Sequence, residues 1–117
     1  MAKIKHIYSC NIGETLELFS GRWKPEILWH LKNGTTRFNR LLKNIDGISQ
    51  KILTQQLREL ERDGLIVRKD FEEKIRRVEY SSTAVAKSLT PVFSALKNWT
   101  AENGEQVVAA SGRSDDG

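Results

Sequence analysis

Between Gly47 and Ile66 the apolar residues recur at helical spacing, with Leu53, Leu57 and Leu60 at i, i+4 and i+7. At about 100° per residue, Leu57 and Leu60 fall within roughly 40° of Leu53. Lys51, Gln55, Arg58 and Arg62 fall on the opposite side, with Thr54 at its flank. Ser49 stands where an N-cap hydroxyl accepts from the free N–H groups of a first turn. Gly64 stands where a helix ends in the left-handed region that glycine enters without strain. The pattern predicts a capped helix with a leucine face and a basic, amide-bearing face. Such a face is more often solvated than functional. The order of the surrounding elements decides between the two.

Upstream, Leu16 and Phe19 mark a short first helix from Ile12 to Ser20, which Gly21 breaks. Trp23-Lys24-Pro25 opens a second helix, with Pro25 in a first turn that has no need of its N–H. Ile27, Leu28 and Leu31 form its apolar face, and Asn33-Gly34 ends it. Thr35-Thr36 leads into a third helix from Arg37 to Asn44, with Phe38, Leu41 and Leu42 inward. After Gly64 the pattern changes: residues 65–69 and 77–80 read as β-strands joined by a charged loop, a hairpin. From Ala84 the helical period returns, first in a short segment. A long helix then carries Leu89, Val92, Phe93, Leu96 and Trp99 on one face and runs on through Val108. Residues 1–11 read as an N-terminal arm and 111–117 as a disordered tail of Ser, Gly, Arg and Asp.

This order predicts one domain over residues 1–110. Its fold class is α+β, mostly α: a winged helix-turn-helix with extra N- and C-terminal helices. In that arrangement the helix from Arg37 crosses the duplex, the helix from Ser49 enters the major groove, and the hairpin is the wing. Lys51, Thr54, Gln55 and Arg58, with Ser49 and Gln50 at the start of the same helix, are the candidate base and phosphate contacts. Arg37 and Arg40 are candidate phosphate anchors at the groove edge. Arg76 and Arg77 are candidate wing contacts, although Arg77 has the alternative of pairing with carboxylates of the loop or with Glu79.

Charge supports a polyanion partner. The chain has 117 residues and a net charge of +4. From Arg22 to Arg77 there are 14 Lys/Arg against 8 Asp/Glu, whereas residues 101–117 hold one Arg against four acids. The excess is therefore concentrated around the candidate recognition helix. With 38% hydrophobic residues and no apolar run near the ~20 residues of a membrane helix, a soluble cytoplasmic protein with no membrane partner is expected. His6 and His30 are too few for a metal site or catalytic dyad. No phosphate-binding glycine loop or nucleophile motif occurs. No enzyme activity, cofactor or metal is expected. Trp23, Trp29 and Trp99 read as core or interface residues rather than stacking platforms. Cys10 is the only cysteine, which excludes an internal disulfide and leaves either an inert small side chain or a reactive thiol.

Several motifs together resemble the HxlR-type winged-helix transcriptional regulators of bacteria. They are Cys10 followed by Gly21-Arg22-Trp23; Ile27-Leu28; Gly34 with Arg37-Phe38; the continuous run from Ile48 to Glu61; Asp63-Gly64-Leu65-Ile66; and Arg77-Val78-Glu79-Tyr80. They span roughly residues 10 to 100. The chain departs from the family in having Ile75-Arg76 where paired prolines usually precede Arg-Val-Glu-Tyr, and Asn11 where proline usually follows the cysteine.

The resemblance implies a DNA-binding homodimer that recognises an inverted repeat and pairs through its first and last helices. Residues 89–110 would then be the dimerisation helix, with Leu16, Phe19, Leu89, Val92, Phe93, Leu96 and Trp99 at the interface. It also implies that Cys10 is a candidate redox sensor for a small electrophile or oxidant. A lone cysteine responds only between subunits or with a small thiol or electrophile. The competing reading is a winged-helix protein-interaction adaptor that does not bind DNA. Salt separates them, because counterion release makes DNA affinity fall steeply as salt rises.

Overall fold

The computed structural model describes residues 11–19, 21–75 and 77–111. Most of the expected N-terminal arm, including His6 and Cys10, lies outside the described residues, as do Arg76 and residues 112–117. Helix α1 spans Ile12–Glu17, and Asn11 caps it by accepting from the Glu14 N–H at 3.0 Å. Helix α2 spans Trp23–His30, with Pro25 in its first turn. Gly21, at φ +86°, makes the break between them. Strand β1 is Thr36–Arg37, helix α3 is Phe38–Asn44 and helix α4 is Gln50–Arg62. Strands β2 (Ile66–Asp70) and β3 (Val78–Ser82) follow, then the short helix α5 (Ala84–Lys87) and the long α6 (Thr90–Ser111).

Both predicted caps of α4 are present. The Ser49 hydroxyl accepts from the Ile52 N–H at 3.1 Å. Gly64 adopts φ +76°, which lets the Leu65 N–H reach back to the Leu60 carbonyl at 2.9 Å. The chain then enters β2 directly. Thr83, after β3, donates its hydroxyl to the Gly64 and Leu65 carbonyls at 3.0 and 3.2 Å, and accepts from the Ala86 N–H to cap α5. One side chain thus ties the base of the hairpin to the end of α4.

Two differences from the sequence reading have clear causes. Arg37 does not open a helix. It is extended (φ −90°, ψ 156°) and belongs to β1, which pairs antiparallel with β3 in the registers Thr36↔Tyr80 and Arg37↔Glu79. The sheet is therefore three-stranded, in the order β1-β3-β2. A two-residue strand is too short to show alternation, and its partner lies more than forty residues downstream.

The second difference concerns α6, whose apolar residues divide between two uses. Phe93 is 8% exposed in the domain core and meets Phe19 edge-on at 6.1 Å between ring centroids. Leu89 and Phe19 also pack against that core. Val92, Leu96 and Trp99 remain about half exposed, and Leu16 is 57% exposed. The expected single face of five is thus an inward pair and an outward trio. Val107 extends the outward row by two turns.

The core is built from Ile27 and Leu31 of the α2 region, Leu41 of α3, and Leu53, Leu57 and Leu60 of α4, all fully buried. Leu65, Ile66 and Tyr80 close it from the sheet side. Helix α4 therefore has three leucines against the core and its polar side outward.

Candidate nucleic-acid interface

The outward side of α4 brings Gln50, Lys51, Thr54, Gln55, Arg58 and Glu59 onto one shallow concave surface. Gln50, Lys51, Gln55 and Arg58 are exposed. Thr54 is half-buried and donates its hydroxyl to the Gln50 carbonyl at 2.8 Å, so that oxygen has acceptor capacity left but no proton to donate. Ser49 is occupied as the N-cap and stands at the rim. A second concavity, lined by Thr35, Thr36, Arg37, Asn39, Arg40 and Glu79, lies where β1 meets the start of α3. Arg37 and Arg40 are both exposed there, and the Arg37 Nε sits 4.0 Å from a Glu79 carboxylate oxygen.

The hairpin tip uses much of its own charge. The Arg77 Nε lies 2.9 Å from Glu73 and 3.8 Å from Glu79, and its guanidinium stacks 3.7 Å above the Phe71 ring. Lys69 approaches the same ring at 4.9 Å. The Phe71 N–H donates to the Arg77 carbonyl at 2.9 Å, and Glu72 takes a positive φ of 53° with its N–H held by Asp70. Arg77 thus follows its alternative from the sequence, pairing with carboxylates within the wing. Lys74 remains exposed at the tip.

One interaction at this surface was not anticipated. Lys24 of α2 is buried at 8% exposure and donates to Glu59 of α4 at 2.5 Å. Lys24 shares the inward stripe of Ile27, Leu28 and Leu31, and a cation on a buried stripe requires a carboxylate partner. That stripe was the available signal. Glu59 holds a second contact: the Gln55 Nε2 donates to its other oxygen at 3.5 Å. The Lys24 hydrogen bond holds the Glu59 carboxyl below its ordinary pKa, against the opposing effect of burial, with smaller help from the charges of Lys24 and Arg62 and from Gln55.

Among the described residues no group of three or more His, Cys, Asp or Glu side chains converges to hold a metal. No described helix is long and apolar enough to cross a membrane.

A carboxylate with a lowered folded pKa stabilises the fold above its unfolded value, about 4.3. That contribution disappears as pH falls through the folded pKa. Lys24→Met leaves Glu59 without its main partner, and the expected cost at neutral pH is about 1.5–3 kcal/mol. The gap between wild type and variant should narrow as pH drops below about 4.3, where Glu59 becomes neutral in the variant first. Urea titrations of both proteins across this range check it; a gap independent of pH would contradict the assignment.

Comparison with known proteins identifies the family. The sequence matches the HxlR-like helix-turn-helix family over residues 18–108. It is 42% identical over 100 residues to MalR of Fusobacterium mortiferum, covering 85% of this chain and 94% of that one. It is 43% identical over 90 residues to the HTH-type transcriptional regulator YdeP of Bacillus subtilis, covering 77% and 70%. Among solved structures, the redox regulator HypR in its reduced form superposes with a TM-score of 0.78 at 34% identity, covering 84% of this chain and 97% of that one. The oxidised form of HypR gives 0.74 at 36% identity, covering 80% and 97%. These relatives are transcriptional regulators rather than enzymes, and their fold is the winged helix described above. The chain belongs to the HxlR-like helix-turn-helix family of DNA-binding transcriptional regulators.

Proposed function

We propose that this regulator acts as a homodimer on an inverted-repeat operator, with α4 in the major groove of each half-site. The observation that carries the reading is the α4 surface itself. Gln50, Lys51, Gln55 and Arg58 stand exposed on a helix whose other side is locked by Leu53, Leu57 and Leu60. Amide and guanidinium groups on a rigid helix match base edges in the major groove, and Lys51, Arg37 and Arg40 are placed to meet phosphates. With Arg77 held by Glu73 and Phe71, Lys74 at the tip is, among the described residues, an exposed wing cation placed to meet the backbone.

Dimerisation is supported by α6. Val92, Leu96, Trp99 and Val107 leave an exposed apolar row along a 22-residue helix, a kind of patch that soluble monomers rarely leave uncovered. A two-fold dimer would place two copies of α4 one helical turn of DNA apart, about 34 Å. Thiol control through Cys10 is supported by the likeness to HypR, a redox regulator solved in reduced and oxidised forms. In this chain a small oxidant would accept two electrons and two protons as Cys10 forms a disulfide with a partner subunit's thiol or a small thiol, or an electrophile would add directly to the thiolate.

Three outcomes test the reading. Arg58→Ala should weaken binding to the operator by about 1–3 kcal/mol and change random-duplex binding far less, as read by fluorescence anisotropy; equal losses would remove its base-reading role. Leu96→Glu should shift the sedimenting species from dimer to monomer and abolish high-affinity binding. Cys10→Ser should leave reduced-state binding intact but make it insensitive to diamide or quinone; a preserved response would exclude the thiol.

A further inference from the structure

The two oxygens of Glu59 face different ways. One is held by Lys24 on the buried side, at 2.5 Å. The other accepts from Gln55 on the outward face, at 3.5 Å. An ionised carboxylate accepts only, and the low pKa of Glu59 keeps it ionised at neutral pH. Gln55 therefore turns an N–H toward Glu59, which leaves its carbonyl Oε1 as the end available to the open surface it shares with Lys51 and Arg58. A glutamine amide free to rotate offers either end to a base. This one is held with its acceptor forward.

We propose that Lys24 and Glu59 are positioning residues that set the base preference of Gln55, making it select adenine and reject guanine at one base pair of each half-site. This rests on the placement of α4 in the major groove. Adenine presents the N6 amine as a donor and N7 as an acceptor, and a glutamine with Oε1 forward and one N–H free meets both. Guanine presents two acceptors, O6 and N7, and places oxygen against oxygen. The chain of contacts begins in the core and ends at the base: a buried ammonium fixes a carboxylate, the carboxylate fixes an amide, and the amide is read by DNA.

Glu59→Gln reverses the polarity of this chain. Lys24 has only donors, so it claims Oε1 of the new amide. The NH₂ of residue 59 is then left toward Gln55, which must answer with its own Oε1 and turn its NH₂ outward. The preferred base becomes guanine. A residue that merely supported the fold would lower affinity at every sequence without exchanging one base for another.

Selection from a randomised duplex library, run on the full-length wild type, Glu59→Gln and Gln55→Ala, tests this. The wild type should favour adenine about tenfold at one base pair per half-site. Glu59→Gln should move that preference to guanine with the other positions unchanged. Gln55→Ala lies on the exposed face and keeps the fold, so it serves even where Glu59→Gln melts early by circular dichroism; it should abolish the preference at that pair alone. Adenine retained by Glu59→Gln, or a selected sequence unaltered in Gln55→Ala, overturns the proposal while leaving operator binding standing. A wild type that enriches no sequence overturns both it and the DNA-reading assignment of α4.

Discussion

The structure depends on how α4 is held. A reading helix must keep its polar side in water, so it can be fixed only from behind. Leu53, Leu57 and Leu60, each at 2% exposure or less, supply that grip, and on area alone each contributes about 1.5–3 kcal/mol. Leucine contacts are non-directional, however, and tolerate small rotations about the helix axis. The Lys24–Glu59 pair is directional and lies at the edge of the leucine seam, where it resists rotation of α4 against α2. A buried ion pair is weak evidence for net stability, because desolvation opposes the attraction. Its physical value here is angular: it selects one orientation among several that the leucines alone would accept.

The basic charge of the chain divides between scaffold and surface, which net charge does not reveal. Lys24 and Arg77 are both neutralised within the protein, one by Glu59 and the other by Glu73 and Glu79 with Phe71 beneath it. Lys32 and Lys97 lie over Trp29, at 4.0 and 4.7 Å from the ring centroid. The cations left outward include Lys51, Arg58, Arg40 and Lys74, along α4, α3 and the wing tip. The hairpin lacks the paired prolines usual in the family, and a different device shapes its tip. The Arg77 stack on Phe71, the Phe71–Arg77 backbone bond and the Asx-type contact at Asp70 close the loop through side chains rather than through ring constraints on φ.

Legibility from sequence followed the range of each interaction. The caps of α4 were readable because Ser49 and Gly64 act within four or five residues of themselves. The leucine face and the hairpin were readable because period 3.6 and period 2 are local. Strand β1 was hidden, since two residues have no period and their partner is distant. The division of α6 was hidden for a related reason. Phe93 and Val92 are neighbours in a helical apolar row, and which of them turns inward depends on distant partners such as Phe19. Within the site, the exposure of Lys51, Gln55 and Arg58 was legible from angle alone. Glu59 was not, because its role is fixed by Lys24, thirty-five residues earlier in the chain.

In the proposed dimer, helix α6 would connect these local facts to the spacing of the two copies of α4. It is rooted in the core that α2 and α4 share by Phe93, and by Leu89 in the turn just before it. Its outward row is Val92, Leu96, Trp99 and Val107. A partner docked on that row would be positioned relative to α4 through a short path: α6 to Phe93 and Phe19, across the core leucines, to the Lys24–Glu59 pair. Each link is a packed or hydrogen-bonded contact with little freedom. Small changes near Phe19 would therefore be passed to the angle of α6. Cys10 lies nine residues before Phe19, at the start of the same segment. If Cys10 is the sensor, its chemistry need not reach α4 to act on DNA binding; altering how Phe19 seats against Phe93 would suffice to change the distance between the two copies of α4 in the proposed dimer.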